Sequence, residues 1–307
     1  MSKIMVIGDS MIDEYIFGNT DRKNPESPMP LLSVEREEMK LGGASNVANN
    51  ISSLMGSVDL ISVIGDDENG EKLKRLSQQS QIHLIPIIGD APTITKKRFV
   101  DSQYQQQLLR VDYERKISLN VDHIKQITDI LQASKPEYVL ISDYNKGMIT
   151  IDLVHAIKQF SAECGSKLLV DTKPQHIDFF QGVYLIKPNF KEFCEMIGNK
   201  GMENTDINIE KYGPDFTKKY KTNLVVTRGS KGASVVTFAG HTSHVRSLEE
   251  YNVFDVTGAG DTFLAALTYG LDSGYLLEDA VKLANKASGI VVEKFGTSTV
   301  TAKELGL

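Results

Sequence analysis

The stretch with the most chemical content is Asp255-Val256-Thr257-Gly258-Ala259-Gly260-Asp261-Thr262. Its glycines let the backbone turn tightly and approach a ligand closely. Phe263, Leu264, Leu267 and Leu271 then repeat at helical spacing. A loop running into a helix leaves main-chain N–H groups without partners, and such a terminus suits a phosphate. Asp261 would repel a phosphate that merely shared its space. Its carboxylate makes sense as a base that takes a proton from a hydroxyl while the amides of Gly258, Ala259 and Gly260 hold the charge on a transferring phosphoryl group. The plainer alternative is that Asp261 only caps the helix.

Other groups with chemical capacity sit where strands end. Asp9 and Asp13 follow the first strand, and two carboxylates there could hold polyol hydroxyls, although Asp9 could equally cap a turn. Gly42-Gly43 opens an amphipathic helix in which Asn46 can donate to and accept from sugar hydroxyls; a simple helix start would look the same. Asp143 and Lys146, Asp171 and Lys173, then Asn189 and Glu192 follow later strands, as the rim of an α/β site would.

The elements that must position these groups read as α/β. Residues 3–8 form an apolar strand, 58–64 another, and 69–80 a helix. From Val121 the pattern is regular: helix to Ala133, strand Tyr138–Ser142, helix Ile151–Cys164, strands Lys167–Asp171, Tyr184–Lys187 and Leu224–Thr227, and a last long helix from Leu277. Strands alternating with helices imply a parallel sheet with right-handed crossovers. Two stretches lack helices, 13–40 with Pro25, Pro28 and Pro30, and 82–112; they are expected to leave the main sheet. Residues 199–215 are polar and read as an elaborated loop.

Composition narrows the class. The chain has 307 residues, 41% hydrophobic and 24% charged, which fits one large α/β domain. A net charge of -6 with dispersed Lys and Arg, apart from Lys96-Lys97-Arg98, points away from nucleic acid. Cys164 and Cys194 fit no metal spacing and are expected to pack inside the fold in a reducing compartment. No apolar run has membrane length, and a strand starts at once after Met1-Ser2-Lys3, so the expected location is the cytoplasm.

Gly42-Gly43-x-x-Asn46, Pro188-Asn189-x-x-Glu192 and the stretch 255–262 resemble, in order, the signatures of the ribokinase-like carbohydrate kinases, the PfkB family. The resemblance spans the chain. It implies a three-layer α/β/α domain over residues 1–307 with a mostly parallel sheet, a small β lid from segments near 13–40 and 82–112, and a homodimer formed through the lids. It implies ATP and Mg2+, with K+ as a further candidate. Asp261 would be the base. Asn189 and Glu192 would organise Mg2+ through water, Thr227, Gly229 and Gly232 would border the ATP phosphates, and Asn285 the adenine. Asp255 and Ser298 would serve a monovalent cation. Asp9, Asp13, Gly42, Gly43, Asn46, Asp143 and Lys146 would hold the sugar.

Within the family, Thr20 to Pro30, Gln106 to Asp112, Ser142 to Gly147 and Phe295 to Thr299 are similar to the subgroup acting on D-glycero-D-manno-heptose 7-phosphate. Thr172 departs from it, standing where that subgroup usually has Pro. The substrate's own phosphate would need a cation. Candidates are Arg22, Lys23, Arg98, Arg110 and Lys146, with Arg110 first because it follows Leu108-Leu109 and is expected to point inward. Many members of the subgroup carry an adenylyltransferase domain after the kinase. This chain ends at Leu307, so that step is expected of a separate protein. The alternatives are a kinase of the same family acting on another sugar, sugar phosphate or nucleoside, and a non-catalytic sugar-binding regulator. An NAD-dependent dehydrogenase is disfavoured, because no Gly-x-Gly-x-x-Gly follows the first strand.

Overall fold

The computed structural model describes residues 4–21, 31–247 and 251–307. The chain begins with β1 (Ile4–Gly8), β2 (Ser10–Asn19), β3 (Ser33–Gly43) and α1 (Ala44–Met55), then β4 (Val58–Ile64), α2 (Glu68–Gln79), β5 (Ile82–Ile88), β6 (Thr95–Asp101) and β7 (Gln106–Tyr113). Regular alternation follows: α3 (Val121–Ser134), β8 (Tyr138–Ser142), α4 (Ile151–Cys164), β9 (Lys167–Asp171), β10 (Leu185–Ile186), α5 (Phe190–Met196), α6 (Asp206–Tyr220) and β11 (Asn223–Thr227). The last elements are β12 (Ala233–Val236), β13 (Thr242–Val245), α7 (Ala259–Asp272), α8 (Leu277–Val291) and α9 (Ala302–Leu305).

Among the described residues nine strands form the main sheet, in the order β13-β12-β11-β10-β9-β8-β1-β4-β5, with every pairing parallel except β11–β12 and β12–β13. Its central strands are apolar on both faces, as a sheet covered by helices on both sides requires. One face packs α1, α7 and α8, with Val47, Ile51, Phe263, Leu267, Val281 and Ala284 in a common core. The other face packs α3 to α6, through Ile127, Leu131, Leu153, Phe193 and Phe216. The result is the three-layer α/β/α arrangement of a ribokinase-like fold.

The second sheet has the order β3-β2-β6-β7. Its Tyr15, Phe17 and Val100 cluster with Phe295, and the Lys40 ammonium donates to the Phe295 carbonyl at 2.7 Å. The sheet is thereby anchored over the loop that precedes α9.

The structure corrects three expectations. β5 runs parallel to β4 along Val58↔Ile82 to Ile64↔Ile88, so residues 82–88 form an edge of the main sheet and the second lid segment starts after them. Pro86 is tolerated because an edge strand leaves one side without ladder bonds. Residues 206–215 of the expected 199–215 loop belong instead to helix α6, which runs on to Tyr220. Thr205 caps it, and Ile209, Gly213, Phe216 and Tyr220 form a buried stripe that Pro214 and the polar exterior conceal in the sequence. Cys194 is buried as expected, but Cys164, at the end of α4, is exposed.

Candidate active site

Asp261 lies in the first turn of α7, two residues past its first position, and the N-cap is Gly258 at φ 80. The helix-cap reading of Asp261 is therefore incorrect. A side chain on Gly258 would meet the Asn46 amide nitrogen at 2.7 Å, so glycine there lets α1 and α7 come together. The Asn46 amide donates to one carboxylate oxygen of Asp261 at 2.8 Å, and the Tyr144 hydroxyl donates to the other at 2.8 Å. Behind them, Asn50 donates to the Asn46 carbonyl oxygens and accepts from Thr262 at 2.9 Å. Asp261 is 4% exposed. Burial pushes its pKa up to about 6 against the hydrogen bonds from Asn46 and Tyr144, which lower it. A carboxylate in that range is a competent general base near neutral pH.

Within the described residues, the main-chain N–H groups of Gly258, Gly260 and Asp261 find no protein acceptor. The Ala259 N–H turns back to the Val256 carbonyl at 3.3 Å, so the expected set of amides shifts by one member, from Ala259 to Asp261. Lys187 is 2% exposed, pairs with Asp171 at 2.8 Å and lies 3.7 Å from where a Gly260 Cβ would stand. The arrangement brings a buried carboxylate, a cation from the end of β10 and open N–H donors together at the start of α7.

Two cavities meet here. One, of about 580 Å³, is lined by Asp261, Tyr144, Lys173, Lys187, Asn189 and Glu192. The other, of about 650 Å³, is lined by Tyr251, Val253, Phe263, Asn285, Gly289 and Val292. Thr227, Gly229, Val256 and Gly260 border both. A polar, cation-bearing chamber joined to an apolar slot matches the two ends of a nucleoside triphosphate. Asn189 is bridged to Thr227 across the sheet. Asn189 and Glu192 cap α5 reciprocally, and the other Glu192 oxygen takes Lys173 at 2.7 Å. With both oxygens engaged, Glu192 fits water-mediated better than direct contact with Mg2+, which keeps much of its hydration. The turn Arg228–Gly232 closes through three main-chain bonds, and the Asn285 amide donates to the Val245 carbonyl at 2.9 Å, against Gly232.

Several residues expected to touch sugar have other tasks. The Asp9 carboxylate accepts from the N–H groups of Tyr144, Lys146 and Met148, at 3.0 to 3.2 Å, and so shapes the loop that carries Tyr144. Asp143 is taken by Asn145, Thr172 and His176. Gly42 lies against Asp13 and Gly43 against the Asp9 carbonyl, too close for any Cβ. Both glycines let β3 pass the carboxylates, and Asp143, though bonded, still lines the cavity that holds Asp261. Lys146 pairs with Glu114 at 2.7 Å.

Asp13 remains on the lid face over the site, paired with Arg98. Strand register puts Lys40 and Lys96 directly opposite Asp13 on that same face. Arg110 shares the face but is half-exposed and pairs with Asp112 at 2.9 Å. Leu108 and Leu109 are exposed, so the apolar pair does not turn Arg110 inward. Arg22 and Lys23 lie outside the described residues. Asp255 accepts from the N–H groups of Thr257 and Gly296, and Ser298 donates to the Phe295 carbonyl, which puts both in the loops under the lid. A third cavity of about 360 Å³, lined by Tyr15, Arg98, Asp255, Thr257 and Phe295, borders Asp255.

The sequence reading missed Tyr144, Lys187, Asn50 and Thr262. Tyr144 and Lys187 each stand at the end of a strand, which was the available signal. Asn50 and Thr262 gave none, since polar residues on helices are ordinarily solvated.

An α/β domain whose buried carboxylate faces open amides, a lysine and a bipartite cavity is a phosphotransferase. The pfkB family carbohydrate kinase pattern matches residues 1–304, and the chain belongs to that family of ATP-dependent sugar kinases. The chain is 38% identical over 308 residues to the bifunctional protein HldE of Haemophilus influenzae (strain PittEE), covering 99% of this chain and 63% of that protein. Against the bifunctional protein HldE of Trichlorobacter lovleyi it is 36% identical over 305 residues, covering 99% and 62%. It thus spans less than two thirds of the length of these relatives. Phosphofructokinase-2 from Escherichia coli in complex with potassium superposes with a TM-score of 0.83 at 19% identity, over 100% of this chain and 97% of that one. A carbohydrate kinase from Agrobacterium tumefaciens does so with a TM-score of 0.73 at 19% identity, over 100% and 96%.

Proposed function

We propose that the chain transfers the γ-phosphoryl group of ATP to the anomeric hydroxyl of D-glycero-D-manno-heptose 7-phosphate, giving the 1,7-bisphosphate that feeds nucleotide-activated heptose for a surface glycan. The observation that carries an acceptor with its own negative charge is the lid face. Three cations, Lys40, Lys96 and Arg98, cluster about the Asp13 carboxylate there, with Asp112 opposite Lys96 on the outer strand. Burial holds both lysines below the ordinary lysine range, so each would gain from an anion. Lys96 has no ion-pair or hydrogen-bond partner among the described residues. The similarity of the motifs to the heptose 7-phosphate subgroup, and the likeness to HldE proteins, support the particular sugar.

In this reading the acceptor hydroxyl gives its proton to Asp261, its oxygen bonds to the γ-phosphorus, and the bond from that phosphorus to the ADP oxygen breaks. The N–H groups of Gly258, Gly260 and Asp261 receive the charge on the phosphoryl oxygens, with Lys187 beside them. Asn189 and Glu192 would hold Mg2+ through water, and the ion would neutralise charge on the phosphates. Asp255 and Ser298 are the residues we assign to a K+ site, an assignment in keeping with the potassium complex of phosphofructokinase-2. Reliance on ATP fits the cytoplasm. Among the described residues no strand pairs with the outer side of β3 or β7, and Leu108, Leu109 and Tyr113 are exposed, which fits pairing of two lids in a homodimer.

The test is coupled ADP release with heptose 7-phosphate set against fructose 6-phosphate, ribose and nucleosides. A strong preference for heptose 7-phosphate is expected. Comparable or better turnover of an unphosphorylated acceptor would overturn the assignment and leave the family activity alone.

A further inference from the structure

Tyr144 has no task in the transfer as written, yet its hydroxyl holds one oxygen of the base at 2.8 Å. The loop that carries it is built for that contact. Asp9 binds the Tyr144, Lys146 and Met148 N–H groups, and Asn145 adopts positive φ, 57°, between them. The Tyr144 ring borders the same cavity as Asp261, with the Lys173 ammonium 5.5 Å from its centre. Asn46 satisfies the other carboxylate oxygen from the α1 side. The oxygen facing Tyr144 is therefore the one an incoming hydroxyl can reach from the cavity.

We infer that the Tyr144 hydroxyl stands in for the acceptor's hydroxyl on Asp261, keeping water off the base until the acceptor displaces it. The physical need is clear. Asp261 in the presence of ATP would serve water as well as sugar. Water's oxygen would bond to the γ-phosphorus, its proton would pass to Asp261, and the bond to ADP would break, wasting the nucleotide as inorganic phosphate. A phenol is well suited to block this. Its own pKa is raised well above the ordinary value, first by burial and then by the adjacent Asp261, so it stays protonated and donates. It is too weak an acid and too rigidly held to substitute for the sugar in transfer. Tyr144 thus acts through Asp261 as a positioning residue.

The test is Tyr144→Phe, which keeps the ring and its packing and removes only the oxygen. Two quantities are read in the 307-residue chain: phosphate released from ATP without any acceptor, and the ratio of acceptor phosphorylation to phosphate release when heptose 7-phosphate is present. The first needs no acceptor, so it stands apart from the sugar assignment. We expect acceptor-free hydrolysis to rise at least about fivefold and the coupling ratio to fall. The acidic limb of the hydrolysis profile should also move to higher pH, because a carboxylate that loses a donor is a stronger base. Asp171, Lys187 and Asn46 also face Asp261 and are untouched by the substitution, so the shift reports the lost phenol. Tyr144→Phe/Asp261→Asn should return hydrolysis to background, which ties the released phosphate to the base. Hydrolysis and limb both unchanged in Tyr144→Phe, with only the acceptor KM altered, would make Tyr144 a wall of the sugar pocket and overturn the inference.

Discussion

Asn46, in the first turn of α1, donates its side-chain amide to Asp261, in the first turn of α7, across 215 residues of sequence. That bond joins the two glycine-containing motifs into one device. It stabilises the ionised carboxylate and opposes the burial that raises its pKa. Asn46→Ala should push the Asp261 pKa above about 6, move the acidic limb of kcat to higher pH, and slow turnover at pH 7. A lost hydrogen bond to a charged group costs about 1.5–3 kcal/mol. A limb that coincides with wild type would separate Asn46 from the base.

Asp261→Asn should lower kcat by roughly 100- to 10,000-fold, the usual cost of losing a general base. ATP binding should persist, as measured by fluorescence titration with a nucleotide analogue. Activity within about threefold of wild type would remove the carboxylate from the chemistry.

The same residue makes a pH-stability prediction. Its folded pKa, about 6, lies above the ordinary 3.8, so the folded chain holds this proton more tightly than the unfolded chain does. The contribution to stability is fully present below about pH 4 and is lost as pH rises through 6. Two units correspond to roughly 3 kcal/mol. Thermal melts should therefore show Asp261→Asn gaining on wild type between pH 4 and pH 7. Parallel curves would mean that Asp261 is ordinary in the folded state.

A Cβ at Gly289 would meet the Tyr251 ring at 2.0 Å. Gly289→Ala favours the α8 helix by about 1 kcal/mol, so lost function cannot be blamed on the helix. We expect the ATP KM to rise at least tenfold, with the acceptor KM changed by less than threefold. Equal effects on both would place Tyr251 outside the nucleotide wall.

Lys96→Met should reduce kcat/KM for heptose 7-phosphate at least tenfold, about 1.4 kcal/mol, with a smaller effect on unphosphorylated heptose. Arg110→Ala should stay within threefold, since Arg110 is half-exposed and closed onto Asp112. A larger loss for Arg110 than for Lys96 would restore the inward arginine expected from the sequence.

Glu192→Gln should raise the Mg2+ concentration needed for half-maximal rate more than it raises the sugar KM. It also releases Lys173, so Lys173→Met is the control that isolates the carboxylate. A Mg2+ titration that overlays wild type would remove Glu192 from the metal network.

The sequence by itself determined the layered α/β fold and the glycine-rich entry to α7, and it singled out Asp261 as the candidate base. These are local matters: helical spacing, strand length and unpaired N–H groups at a helix start are set by neighbours a few residues apart. It misjudged residues 82–88 and 206–215, where the deciding contacts are with β4 and with the sheet beneath α6. Only the tertiary structure decided the partners of each charge. Asp9 and Asp13 are alike in sequence, yet three main-chain donors take the first and Arg98 the second. Arg110, the first candidate, is half-exposed, whereas Lys96, which was not among the candidates, is partly covered, because exposure depends on which strands flank them. Tyr144 and Asn46 reach Asp261 from distant segments, and a hydrogen bond between remote residues leaves no periodicity in the chain.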